Sequence, residues 1–203
     1  MTGTAGQDRA ERRSSLSVPD RLLSVATRLF AERGFERTSV QELVDAAGVT
    51  KGAMYHYFSS KDDLLYAIYQ RVLAMQTRRL NEFAQAGGPV EERLRAAAAD
   101  VVHTTVDNLD DTVIFFRSLH MLSPDRQSAV RKERRRYHEC FRAMIEEGAR
   151  AGVFRSDVPA DIVVTQYFGA VHHLGMWYRP EGQLGGAEIG AYYADLLLAS
   201  LRP

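Results

Sequence analysis

The sequence predicts an all-α protein, with a helix-turn-helix near its N-terminal end and a larger helical domain behind it. Three observations carry that expectation. Apolar residues recur at three- and four-residue spacing through most of the 203 residues, the period at which side chains line one face of a helix. No stretch of useful length alternates apolar and polar residues as a half-buried strand does; Ala151-Gly152-Val153-Phe154 is at most a short extended turn. Between Thr38 and Phe58, two short periodic segments flank a tight turn at Gly48, which is the pattern of a helix-turn-helix.

The elements follow in order. Residues 1–17 are rich in Gly, Ser, Thr and charge and lack helical spacing, so a flexible arm is expected there. Val18-Pro19-Asp20 starts a first helix, with Pro in the first turn and Asp able to accept orphan amide hydrogens. Leu22, Val25, Ala26, Leu29 and Phe30 share one face, and Gly34 supplies the stop. Thr38 or Ser39 caps a second helix carrying Val40, Leu43, Val44 and Ala47, which Gly48 ends. Thr50 caps a third, closed by Tyr57-Phe58. Ser59-Ser60 and Lys61-Asp62-Asp63 open a longer fourth helix with Leu64, Leu65, Ile68, Val72 and Met75. After the break at Gly87-Gly88-Pro89, helices are expected near 90–106, 109–122, 124–150, 159–179 and 186–201, separated by Gly152, Pro159, Pro180 and Gly185-Gly186. The expected organisation is an arm over 1–17, a helix-turn-helix domain over 18–64 and a second domain over 65–203, about nine helices in all.

Composition sets outer limits. With 45% apolar and 26% charged residues the chain is that of an ordinary globular protein. No run approaches the roughly 18 uncharged apolar residues of a membrane span, and the start, MTGTAGQDRAERRSSLS, is polar rather than signal-like. A cytoplasmic location and no membrane partner are therefore expected. The single cysteine, Cys140, can form no internal disulfide. Lys plus Arg and Asp plus Glu both number 26. Up to Lys61, the basic residues Arg9, Arg12, Arg13, Arg21, Arg28, Arg33, Arg37, Lys51 and Lys61 face Asp8, Glu11, Asp20, Glu32, Glu36, Glu42 and Asp45, nine minus seven. So weak a field gives little non-specific attraction to nucleic acid, and DNA binding must rest on where the donors sit.

The third helix supplies them. In TKGAMYHYF, Thr50, Lys51, Tyr55, His56 and Tyr57 are rich in donors, while Gly52 and Ala53 are small enough for close approach. The first residues of a recognition helix point at the floor of the major groove, so Lys51 is the candidate base-edge donor, to guanine, with Thr50 and Gly52 beside it. A lone lysine there would read as a solvated side chain; its neighbours set it apart. Tyr55, His56, Tyr57 and Lys61 are placed for phosphate oxygens, although Tyr57 at a helix end is equally a core candidate. Thr38 and Ser39 are expected to bind backbone through hydroxyls and free amides. Met54 and Phe58 face inward.

With those residues in view, FAERGFERTSVQELVDAAGVTKGAMYHYFSSKDDLL resembles the N-terminal domain of the TetR family of bacterial repressors, over residues 20–66. The resemblance implies a homodimer, a helical core domain binding a small effector, and loss of DNA affinity on its occupation. Double-stranded operator DNA, a second copy of the chain and a hydrophobic small molecule are the expected partners.

Residues 90–203 show no catalytic constellation. Glu146-Glu147 and Asp110-Asp111 are adjacent pairs that diverge on a helix, and Cys140 has no partner motif. His103, His120, His138, His172 and His173 include no i, i+4 pair, so neither a metal site nor a cofactor is expected. An enzyme, or a carrier with a vestigial helix-turn-helix, is the rival; the missing acid, base or nucleophile argues against the enzyme.

Aromatic density is the positive signal. Phe115, Phe116, His120, Tyr137, Phe141, Met144, Tyr167, His172, Met176 and Trp177 are candidate effector-binding residues, most of them doubling as core. Polar tips on Tyr137, Tyr167 and His172 need partners if buried, as in an apolar small-molecule site. HHLGMWYRPEGQLG resembles the end of the eighth helix in relatives controlling fatty-acid, steroid or acyl-CoA catabolism, which implies a lipid-like or acyl-CoA effector. For the run Arg131, Lys132, Arg134, Arg135 and Arg136 a solvated basic face is the favoured reading, and one or two cations for an anionic ligand the other. In the last two helices Ile162, Val163, Thr165, Gln166, Gly169, Ala170 and His173 leave a small-residue surface. Ile189, Tyr192, Tyr193, Leu196, Leu197 and Leu201 form an apolar stripe too broad for one partner helix. The family uses these helices to dimerise.

Overall fold

The computed structural model describes residues 16–203. Most of the arm expected over 1–17 lies outside the described residues, but Ser17 belongs to a helix start. Its Oγ accepts the amide of Asp20 at 3.3 Å and caps α1 (Val18–Arg33). The cap is thus three residues ahead of Asp20, whose carboxylate accepts the Ser17 hydroxyl at 2.5 Å. Gly34 ends α1 at φ 88°, its N–H donating to the carbonyl of Phe30.

Local chemistry then sets a run of short elements. Ser39 and Glu42 form a capping box at α2 (Val40–Ala47). Gly48 follows in the left-handed region at φ 63°, ψ 43°, where a side chain would cost about 1–2 kcal/mol. Thr50 caps α3 (Lys51–Tyr57), its Oγ1 accepting the Ala53 amide at 3.1 Å, and Ser60 caps α4 (Lys61–Gln85). Beyond it lie α5 (Val90–Asp107), α6 (Leu109–Arg117), a 3₁₀ turn (Leu119–Met121), α7 (Pro124–Arg150), α8 (Ala160–His172), the single turn α9 (Leu174–Trp177) and α10 (Gly186–Ser200). No strand occurs among the described residues, and 151–154 is a turn in which the Val153 and Phe154 amides donate to the Gly148 carbonyl.

Two expected helices are broken. The helix over 109–122 stops at Ser118, and the 3₁₀ turn that follows brings Leu122 into the core at 3% exposure. The helix over 159–179 stops at His173, whose Nδ1 lies 2.8 Å from the carbonyl of Gly169; Leu174 then turns fully inward.

Two apolar cores organise these elements. The head core gathers Leu22, Phe30, Leu43, Met54 and Leu65 from α1 to α4, and also Ile114 and Phe115 of α6, Leu122, and Val130 of α7. The body core gathers Leu94, Phe141, Tyr167, Phe168 and Leu197 from α5, α7, α8 and α10. Each fully buried side chain of this size contributes about 1.5–3 kcal/mol. Helix α4 serves both, with Leu64 to Leu73 in the head core and Leu80 in the body core. The boundary expected between 64 and 65 therefore falls in the first turn of a continuous helix, and the head reaches well past it. Within the body, α10 lies so close to α5 that a Cβ on Gly190 would come 2.7 Å from the carbonyl oxygen of Ala99.

Candidate nucleic-acid interface and effector cavity

Helix α3 turns one face to its neighbours and the rest outward. Met54 is fully buried and Phe58 packs half-buried against the head core. Thr50, Lys51, Gly52, Tyr55, His56 and Tyr57 are all exposed. Tyr57, equally a core candidate in sequence, is 50% exposed, with its ring edge-on to His56 at 4.8 Å between centroids. A two-point anchor through Met54 and Phe58 thus leaves a compact set of donors on a rigid helix. Thr50 keeps a hydroxyl hydrogen to donate, since its oxygen only accepts in the cap.

Two expected contact residues are placed otherwise. Thr38 is fully buried, and its hydroxyl donates to the carbonyl of Gly34 at 2.9 Å, with that of Leu29 at 3.4 Å. It joins the α1–α2 turn to α1 and presents nothing to a phosphate. Lys61 bends back, its Nζ donating to the carbonyls of Phe35 and Thr38 at 2.8 and 2.9 Å above the Phe35 ring. Burial lowers its pKa; it ties α4 to the turn before α2. Ser39 remains exposed, but its hydroxyl and amide are both given to Glu42. Those two bonds from Ser39 hold the Glu42 carboxyl below the usual range, with Arg33 adding to them. Arg37, in the same turn and not singled out in sequence, is exposed and has no ion pair among the described residues.

The second site is a narrow, nearly filled cleft of about 40 Å³ at the seam of the two cores. Head-core residues Val72, Leu73 and Phe115 form one wall; Val101, Tyr137, Phe168 and Val171 of the body core form the other. Of the ten residues expected around an effector, Phe115, Phe116, Tyr137 and His172 line it. Phe141, Met144 and Tyr167 do not. They are packed in the body core behind it, and the Tyr167 hydroxyl is satisfied by the Ala98 carbonyl at 2.5 Å. His120, Met176 and Trp177 are exposed elsewhere, because the breaks at Ser118 and His173 turn them out of register with the wall.

The other ten lining residues were not among those expected around an effector; their polar members are Gln76, Thr105, Thr112, Arg134 and His138, of which Arg134 figured in the sequence reading only within the basic run. A signal for Arg134 existed, since Val130, Arg134, Tyr137, Phe141 and Met144 alternate four- and three-residue steps along the buried face of α7. A cation on that stripe is out of place on a merely solvated face. The histidines of the wall are held neutral. Desolvation, with Arg134 nearby, pushes His138 down to about 4 and His172 down to about 3. Their rings form an aromatic stack with Phe168 and Phe116, His138 to Phe168 at 4.3 Å and Phe116 to His172 at 4.2 Å.

The cleft and the head are joined through α6. The Tyr69 hydroxyl of α4 lies 3.0 Å from the carbonyls of both Ile114 and Phe115, and Arg71 reaches Thr27 of α1 at 3.0 Å and Asp111 of α6 at 2.6 Å. Arg126 of α7 clamps Asp62 and Asp63 at the start of α4.

An exposed short helix carried on a helix-turn-helix, behind it a helical body with an apolar cleft, defines a DNA-binding transcriptional regulator rather than an enzyme. The chain belongs to the TetR family. Residues 22–68 match the bacterial regulatory proteins of the tetR family, and residues 87–201 match the tetracyclin repressor-like C-terminal domain. It is similar to the HTH-type transcriptional repressor KstR2 of Rhodococcus jostii, with 27% identity over 186 residues covering 89% of each chain. Among solved structures, the TetR family regulator PfmR of Thermus thermophilus is 30% identical at a TM-score of 0.83, covering 90% of this chain and 100% of that one. The ketosteroid transcriptional regulator KstR2 of Mycobacterium tuberculosis is 25% identical at the same TM-score, covering 92% and 96%. The chain is accordingly a DNA-binding transcriptional regulator of the TetR family. Among the described residues no helix is long and apolar enough to cross a membrane.

Proposed function

We propose that the chain works as a homodimer occupying a pseudo-palindromic operator, and that a hydrophobic small molecule in the seam cleft releases it. The observation that carries this reading is the shared wall. Phe115 lines the cleft and also belongs to the head core, next to the Tyr69 hydroxyl that touches its carbonyl. A ligand body displacing Phe115 or Phe116 moves α6 against α1 and α4, and so changes the spacing of two recognition helices across a dimer. Similarity to a ketosteroid transcriptional regulator and the apolar lining support a lipid-like effector or an acyl-CoA.

On DNA, Lys51 reads a base edge with Thr50 and Gly52 alongside, while Tyr55, His56 and Tyr57 hold phosphates, joined by Arg37. The dimer forms through α8 and α10. Ile162, Tyr192 and Leu196 stand 60%, 57% and 69% exposed there, whereas Ile189, Leu197 and Leu201 of the same stripe are buried within the chain. That division explains a stripe too broad for one partner helix. A twofold pair would set its half-sites one helical turn, about 34 Å, or more apart.

Replacing Lys51 and Tyr55 together by Ala tests the DNA assignment on the upstream region of the chain's own gene. We expect at least about a hundredfold loss of affinity, with the salt dependence reduced by about one counterion. Unchanged affinity and salt slope would refute it.

A further inference from the structure

Arg134 stands where a cation is costly. It is half-buried on the inward stripe of α7, its guanidinium 5.3 and 5.7 Å from the ring centroids of Phe115 and Phe116. Elsewhere in its run Arg136 pairs with Glu133 at 2.8 Å, Arg131 donates to the neutral Gln127 side chain at 3.0 Å, and Lys132 and Arg135 are exposed. Arg134 has no carboxylate partner among the described residues. Burial holds its pKa below the usual range, yet a guanidinium stays charged at neutral pH. Held over two aromatic rings with no carboxylate to neutralise it, the guanidinium is open to an incoming anion.

Beside it, Tyr137 is 5% exposed and lines the same cleft, and its hydroxyl makes no hydrogen bond among the described residues. Tyr69 and Tyr167, by contrast, both reach backbone carbonyls. Desolvation raises the Tyr137 pKa, so its hydroxyl remains a neutral donor. A hydroxyl and a guanidinium, neither with a hydrogen-bond or carboxylate partner among the described residues and neither sealed from the cleft, therefore share one wall. Outside the cleft, Arg134 and His138 also line a groove with Arg131, Arg135 and Arg142, facing Glu139 and Asp161. Four arginines against two carboxylates leave the groove at +2, and Arg142 is already 3.7 Å from Asp161.

We propose that Arg134 and Tyr137 form an anion-reading site at the mouth of the cleft, for an amphiphile with an apolar body and a carboxylate or phosphate. The body lies against Phe115, Phe168 and Val171, the anion takes the Arg134 fork and the Tyr137 hydroxyl, and any larger polar end leaves along Arg131 and Arg135. The inference rests on reading the cleft as the effector site and adds which chemistry that site selects.

Calorimetric titration of the full-length protein with octanoate, octanoyl-CoA, coenzyme A and 1-octanol tests it. At least one octanoyl anion should bind about tenfold or more tightly than octanol. Arg134→Gln should abolish that advantage, leaving octanol affinity within about twofold and operator binding intact; Arg134→Lys should recover part of it. Tyr137→Phe should weaken the anions alone. Preference for octanoate identifies a carboxylate at Arg134. Preference for octanoyl-CoA, lost in Arg131→Gln/Arg135→Gln, identifies phosphates in the groove. Octanol binding as tightly as the anions, or every ligand weakening equally in Arg134→Gln, would overturn the anion site while keeping an apolar effector. Failure of all four to bind would overturn both readings.

Discussion

The head and the cleft are both helical and both apolar inside, but they are assembled on different length scales. In the head, each element is fixed by residues a few positions apart: Ser39 with Glu42, Thr50 with Ala53, Gly48 with Val44. At the cleft, the wall joins Val72 of α4, Phe115 of α6, Tyr137 of α7 and Val171 of α8, and no two of these are neighbours in sequence. A rigid local scaffold suits a fixed DNA surface. A seam between two cores suits a site whose occupation must be felt elsewhere, because small shifts there repack two bodies at once.

That contrast can be broken by substitution. Met54 anchors α3 from within the head core and touches nothing in the cleft. Met54→Ala should cost about 2–5 kcal/mol by the cavity it leaves. We expect operator affinity to fall at least about tenfold at a temperature where calorimetry still finds cleft ligands bound with wild-type affinity. Equal losses in both would mean that head and body form one undivided unit.

A smaller effect separates the regions by pH. His138 and His172 are held at about 4 and about 3 in the fold, against about 6.5 in an unfolded chain. Between those values the unfolded chain binds more protons, so the stability that these histidines contribute is complete above about pH 6.5 and drains away as pH falls. Urea titrations between pH 7 and 5, before most carboxylates protonate, should show declining stability, and His138→Gln/His172→Gln should flatten the slope. A variant slope equal to that of the wild type would show the wall histidines to be solvated.

The same difference in length scale decides what could be read in the sequence. The spacing of Leu22 to Phe30, the capping residues and the glycine turn foretell α1 to α4 because each signal lies within a helical turn of what it controls. Thr38 and Lys61 mislead, because a threonine that caps and one that buries its hydroxyl on Gly34 look alike along the chain, and the 23-residue reach from Lys61 back to Thr38 leaves no local trace. In the body, aromatic residues identify a cleft-forming region without telling wall from core: Tyr137 faces the space, and Tyr167, of the same type and spacing, is satisfied by Ala98 behind it. His120, Met176 and Trp177 are lost to helix breaks that the sequence marks weakly, with Gly175 alone standing just past the break at His173. Arg134 was legible in principle, as a charge on an apolar stripe, but the surrounding basic run masks it.

The link between cleft and head is tested most directly by titrating octanoate or octanoyl-CoA, whichever binds, into the complex of the wild-type protein with its operator, followed by fluorescence anisotropy of labelled DNA. We expect saturating ligand to weaken the complex by about tenfold or more, a coupling in the range typical of allosteric proteins. Ligand that occupies the cleft and leaves operator affinity unchanged would make the cleft a carrier site and would contradict release through α6.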